Sequence, residues 1–255
     1  MKYNIKFYIT LFLITFPPLS CSKQKHAPES LGENAAMIDG QFRFLPSLAF
    51  YPDTNAGEII FETSKRHERT YFRMAVAGMT RSGSIRIRVY NGRAYRIGER
   101  IELRAGDCFL FGKRKYDHRL SPIENWNCGH LVFAFRSGSG ELESISDERT
   151  SRSEWFGPIR ARPVTDLKGA FFAGQVFALL EDGRLTVYAY RASKLLRNGQ
   201  RLSLHDSHNQ PVGMATVEER IGDIVIVRAE RPFMKESLPL IAYTTKKPDY
   251  GGLFE

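Results

Sequence analysis

Arginine supplies most of the recognisable chemistry in this sequence. Arg86 and Arg88 alternate with Ile85, Ile87 and Val89; Arg93, Arg96, Arg100 and Arg104 follow, with Tyr90 and Tyr95 interleaved, and Lys113, Arg114 and Lys115 close the series. A guanidinium is a planar donor fork that pairs sulfate, phosphate or carboxylate oxygens two at a time and stacks on aromatic rings. If Ile85, Ile87 and Val89 turn inward, and Ile101 and Leu103 likewise, the intervening arginines share one outward surface. These nine residues are the candidate binding site, and the chemistry they imply is capture of a polyanion or an acidic protein surface. Charge is distributed to match. Residues 37–136 hold 17 Lys+Arg against 10 Asp+Glu, residues 155–255 hold 14 against 11, and residues 137–154 hold 2 against 5. Glu99, Glu102 and Asp107 lie among the cations and neutralise part of the field locally.

Other reactive side chains form no recognisable constellation. His205-Asp206-Ser207-His208 contains the letters of a serine triad, but neighbours in sequence cannot converge as triad members do. These residues, with Asn209 and Pro211, read as turn formers. The six histidines and three cysteines make no paired metal-ligand spacing. Ser137-Gly138-Ser139-Gly140 is not a nucleophile elbow, and no glycine-rich phosphate loop precedes a helix. The adjacent pair Glu218-Glu219 points to opposite faces of a strand. No catalytic residue, metal ligand or cofactor is assigned, and the expectation is a protein that is not an enzyme. A hydrolase of unfamiliar type is the catalytic rival.

The elements that position the arginines are strands. Period-two alternation marks residues 58–63, 70–77, 84–90, 100–104, 108–112, 130–135, 174–180, 184–190, 201–205, 212–218, 223–229 and 238–244, separated by Ser82-Gly83, Asn91-Gly92, Asp182-Gly183 and Asn198-Gly199. The best helical stretch, 192–197, is barely a turn and a half. The expected fold is all-β: two tandem, related small β-barrel domains, SH3-like or sandwich-like, at residues 41–136 and 155–255. The acidic, serine-rich stretch 137–154 reads as a linker. Relatedness rests on three echoes: Ser82–Ile87 in Asp182–Val187, Arg96–Leu103 in Arg197–Leu204, and Cys128–Val132 in Ile221–Val225. In the second copy the outward positions matching the arginines are Thr186, Tyr188, Tyr190, Arg201 and His205. Cys108 and Cys128 bracket a loop near Pro122, and a disulfide there closes it; two buried free thiols are the alternative.

The 255-residue length and 42% hydrophobic content exclude wholesale disorder, collagen and a multi-span membrane protein. At the N-terminus, Lys2 and Lys6 precede an apolar run from Phe7 to Phe16 that ends at Pro17-Pro18. That run is about half the length a spanning helix needs, so it reads as a secretory h-region. With Leu19-Ser20-Cys21-Ser22 following, residues 1–21 resemble a bacterial lipoprotein signal, although Leu19 stands two residues before the cysteine rather than three. The resemblance implies a cleaved signal over 1–20 and lipidation of Cys21. Cleavage after Ser22, between small residues, is the soluble alternative. Residues 21–40 form a polar tether. The reading is an exported, membrane-anchored lipoprotein of the cell envelope, at the outer membrane or its periplasmic face. It binds rather than catalyses, with the membrane reached through its lipid and an envelope or extracellular polyanion or protein as partner; nucleic acid is not expected. A structural component of an envelope assembly and a surface adhesin for host matrix or glycans are the rivals.

Overall fold

A computed structural model describes residues 34–35, 38–45, 56–64, 69–79, 84–113, 121–129, 131–146, 150, 159–190, 192–234 and 238–247. The signal segment, Cys21, Arg114 and Lys115 lie outside the described residues. Those described form an all-β protein of two closed antiparallel barrels. Among them no helix is long and apolar enough to cross a membrane. Residues 192–196 make one turn, through Ser193 N to Ala189 O and Leu196 N to Ala192 O, rather than the helix that 192–197 suggested.

The first barrel is an eight-stranded meander. It runs through β2 (Gly40–Phe44), β3 (Ala56–Ser64), β4 (Arg69–Met79), β5 (Ile85–Ile97), β6 (Arg100–Lys113), β8 (Val132–Gly138), β9 (Glu141–Ile145) and β10 (Arg160–Pro163), and β10 closes on β2. Two strands extend it. β1 (Asn34–Ala35) pairs with Arg96 and Tyr95 of β5, so the expected tether ends in sheet, and β7 (Ser121–Asn127) pairs with the far half of β6.

Strands β8 to β10 correct the expected domain plan. Ser137 and Gly138 end β8, Ser139-Gly140 turns with positive φ at both residues, and β9 follows, so 137–145 is a hairpin rather than a linker. Its polar composition belongs to outward positions, while Leu142 enters the core and Ser144 Oγ accepts from Ile159 N at 2.7 Å. β10, expected in the second half, pairs with β9 and β2 and seals the first ring.

The second barrel comprises β11 (Phe171–Leu179), β12 (Leu185–Tyr188), β13 (Arg201–His205), β14 (Pro211–Ile221), β15 (Ile224–Ala229) and β16 (Leu240–Thr244), in the ring order β11-β12-β15-β14-β13-β16. β5 pairs directly with β6, whereas the matching β12 and β13 are not neighbours. Strand number and order therefore differ between the barrels. The sequence echoes reflect shared turn–strand steps rather than one repeated topology.

Strands β3 to β5 are apolar on both faces, and this decides which side of the first barrel is free. Phe61, Phe72, Met74, Tyr90, Ala94 and Leu103 fill the barrel. Ala75, Ala77, Ile85, Ile87 and Val89 alternate with them and point outward, against Phe177, Tyr188, Ile221, Ile224 and Ile226 of the second barrel. The isoleucines read as facing the domain's own core instead face its neighbour. Polar contacts fix the seam. Gln175, 3% exposed, accepts from Gly57 N at 3.0 Å and donates to Phe44 O at 3.1 Å. A side chain at Gly57 would place Cβ 2.3 Å from the Phe44 ring, so glycine permits this approach. Asp223 and Tyr190 face Arg73.

Candidate anion-binding wall of the first barrel

Strand parity builds the site. In the second half of β5, Ala94 enters the core while Arg93 and Tyr95 face out; in the first half of β6, Ile101 and Leu103 enter while Arg100, Glu102 and Arg104 face out. Register then lines up three rows across the strands. Glu62, Tyr71, Arg93 and Arg104 form one. Tyr95 and Glu102 form the next. Ile97, Arg100, Arg136, Glu143 and Arg160 form the third. The outer rows lie about 13 Å apart, four residues at about 3.3 Å each. Arg69 opens β4 on the same side.

Glu102 organises the centre. It is 3% exposed, and its carboxylate accepts from Arg100 Nε at 3.1 Å on one oxygen and from Arg104 Nη2 at 3.0 Å on the other. The Arg104 guanidinium also lies 4.4 Å from the Tyr95 ring centroid. One negative charge thus holds two cations in fixed poses and leaves the three side chains with a net positive charge. Arg93 and Arg136 are exposed. The Arg160 side chain is 66% exposed and only 3.9 Å from Glu143, an ion pair of little energy in water. Beyond it, Arg162 is tied to Glu141 at 2.7 Å. In these rows every cation is arginine.

Among the described residues, those of the expected site do not share one face. Arg93, Arg100 and Arg104 belong to the wall. Arg86 and Arg88 pair with Gly78 and Val76 on the side of β5 that leads into the core at Tyr90. Arg86 is exposed there and Arg88 is half-buried. Burial pushes the Tyr90 hydroxyl up to about 12, with Arg88 pulling the other way. Arg96 sits opposite Ile101 on that same side at the other end of the strand, donating to Gly98 O at 3.1 Å. Lys113 ends β6 opposite Ile85. The cause of the split is parity: β5 is regular from end to end, so even and odd arginines must face opposite ways. β6 changes parity where Gly106 bulges between Ala105 and Asp107. There Gly92 packs so closely on β6 that a Cβ would stand 2.0 Å from Arg104 O.

Sequence reading missed Arg136 and Arg160. The first sat at the edge of a presumed linker and the second beyond it. The Ser-Gly turn between alternating stretches 132–136 and 141–145 was the signal that could have found them.

Cys108 and Cys128, both fully buried, are joined by a disulfide with Cα atoms 5.9 Å apart. It fastens the end of β7 beside the bulge, where Cys128 N also donates to Gly106 O at 3.1 Å. Among the described residues no group of three or more His, Cys, Asp and Glu side chains comes together as a metal site.

Most of the expected outward residues of the second barrel are not exposed. Thr186 is buried and donates to Ala178 O, and Tyr188 is buried in the seam. His205 is buried edge-on against Tyr243, its ring nitrogens on Asn209 O and Ser203 Oγ. Arg201 is exposed and paired with Glu230. Asp206 accepts from the backbone N–H groups of His208 and Gln210, which hold its carboxyl below the usual range. This is turn chemistry, as expected from the sequence. The chain matches no protein-family model, no curated protein and no solved structure.

Proposed function

We propose that this chain is an exported, lipid-anchored envelope protein whose first barrel is a non-catalytic binding module for a polyanion. One observation carries the reading. The first barrel's outer wall is divided, with one half clamped by the second barrel and the other carrying Arg93 and Arg104 in one cross-strand row and Arg100, Arg136 and Arg160 in another, of which Arg93, Arg136 and Arg160 are exposed. Oxyanions repeating along a polymer or surface can meet several forks at once, and each cation engaged releases counterions.

The test is retention of the mature chain on heparin at about 0.15 M salt, with elution falling steeply as salt rises. Arg93→Ser with Arg136→Ser elutes at lower salt without a change in Tm, whereas Arg197→Ser, an exposed change on the second barrel, elutes close to wild type. Identical elution of all three proteins overturns the reading.

A further inference from the structure

The chain reaches the first barrel beside this wall. Asn34 and Ala35 pair with Arg96 and Tyr95, so the segment arriving from the N-terminus joins the strand that carries Arg93 and Tyr95. Only 12 residues separate Cys21 from Asn34. Thirteen peptide steps reach at most about 45 Å. If Cys21 carries lipid, the wall is confined near that bilayer at an effective concentration on the order of millimolar.

We infer that the polyanion held by the wall is the headgroup phosphate layer of the bilayer that anchors the chain. This rests on the proposed function, both for the anchor and for the wall. Charge and placement agree. The wall's rows carry five arginines against three carboxylates, Glu62, Glu102 and Glu143, and Glu102 is spent on its own strand. Lys23 and Lys25 add positive charge to the segment between Cys21 and Asn34. An anionic surface favours each nearby arginine by roughly fivefold in occupancy, and the attraction fades within a Debye length, so it acts only on a face already held close. A tether ending on the opposite side of the barrel would not provide that closeness. The anchored protein therefore lies with this wall against the headgroups, and Arg86, on the other side of β5, faces away.

The lipidated mature chain is reconstituted in vesicles of phosphatidylcholine alone or with about 30% phosphatidylglycerol, a surface that attracts basic groups. Arginines are labelled with phenylglyoxal and read by mass spectrometry. Arg93, Arg136 and Arg160 label at least threefold more slowly on the anionic vesicles, and about 0.5 M salt removes the difference; Arg86, Arg197 and Arg231 label alike on both. Equal labelling of the wall on the two vesicle types overturns the inference. A third arm adds heparin to neutral vesicles. Protection by heparin but not by anionic lipid sinks the headgroup inference and leaves the polyanion reading standing; protection by neither sinks both. A mature N-terminus without lipid also overturns it.

Discussion

Arg73 on β4 and Asp223, in the turn between β14 and β15, face each other at 3.7 Å across the seam between the barrels. The guanidinium also lies 3.9 Å from the Tyr190 ring centroid. This one arginine marks the boundary between the apolar half of the outer wall and the half left in water.

Arg73→Leu removes the ion pair and the ring contact together and leaves Asp223 facing a barrel without a cation. The expected cost is about 2 kcal/mol, a fall in Tm of roughly 4–8 °C for a protein of this size. In a double-mutant cycle with Asp223→Asn, the double variant is less destabilised than the two single changes sum to, because each single change strands the other group. Strict additivity in thermal melts would show that the pair is not coupled.

Glu102→Gln removes the negative charge and one of the two oxygens that accept from Arg100 and Arg104. Loss of these charge-assisted hydrogen bonds costs about 1.5–3 kcal/mol, seen as a lower urea midpoint. Retention on heparin moves the other way, to higher salt, since the wall gains one net positive charge. A variant that lost both stability and retention would mean that the poses set by Glu102 matter more than the charge it removes.

Replacing Cys108 and Cys128 together by Ser opens a bridge that spans a sequence separation of 20. The chain-entropy relation gives a cost of about 3 kcal/mol, measured as the difference between variant and wild type in urea unfolding. The deletion leaves heparin elution at a given salt unchanged below the unfolding transition, because neither cysteine lies on the wall.

Asp206 and Asp223 titrate in opposite senses. Backbone donors lower the Asp206 pKa, so its contribution is present above the unfolded value of about 3.9 and is lost as pH falls through the lower folded value. Burial raises Asp223 despite the opposing pull of Arg73, so its contribution is complete below the unfolded value and is lost as pH rises through the raised one. Asp206→Asn should therefore flatten the loss of stability as pH falls into the acid range, and Asp223→Asn the loss as pH rises above the unfolded value. Thermal melts from pH 3 to pH 8 read both slopes. Profiles parallel to wild type would remove the assignment.

Much of the first barrel is written plainly in the period of its residues, but the direction of that period is not. Ile85, Ile87 and Val89 carry the signal of an inward face, and so do Met74, Val76 and Tyr90, because the strands are buried on both sides. Only the second barrel's position decides between them, and nothing local to β5 encodes it. Tyr188 and Thr186 were misplaced for the same reason. The two strands that carry Leu142 and Ala161 were hidden differently: each offers the core one apolar residue and turns much of the rest toward solvent, so composition alone describes a spacer. The turn at Asp206 was legible because its chemistry is local, whereas Cys108 and Cys128 stayed open between a bridge and two free thiols until the bulge of β6 and the end of β7 brought them together.

The placement of β10 bears on how the protein is made. Pro163 stands 18 residues after Ile145, and until that late segment arrives β2 and β9 keep raw edges open to any passing strand. The growing chain must therefore extend past Pro163 before the edge of β2 can be sealed. A nascent product halted at residue 154 would be a sticky, half-zipped cylinder and a natural client for an edge-shielding chaperone.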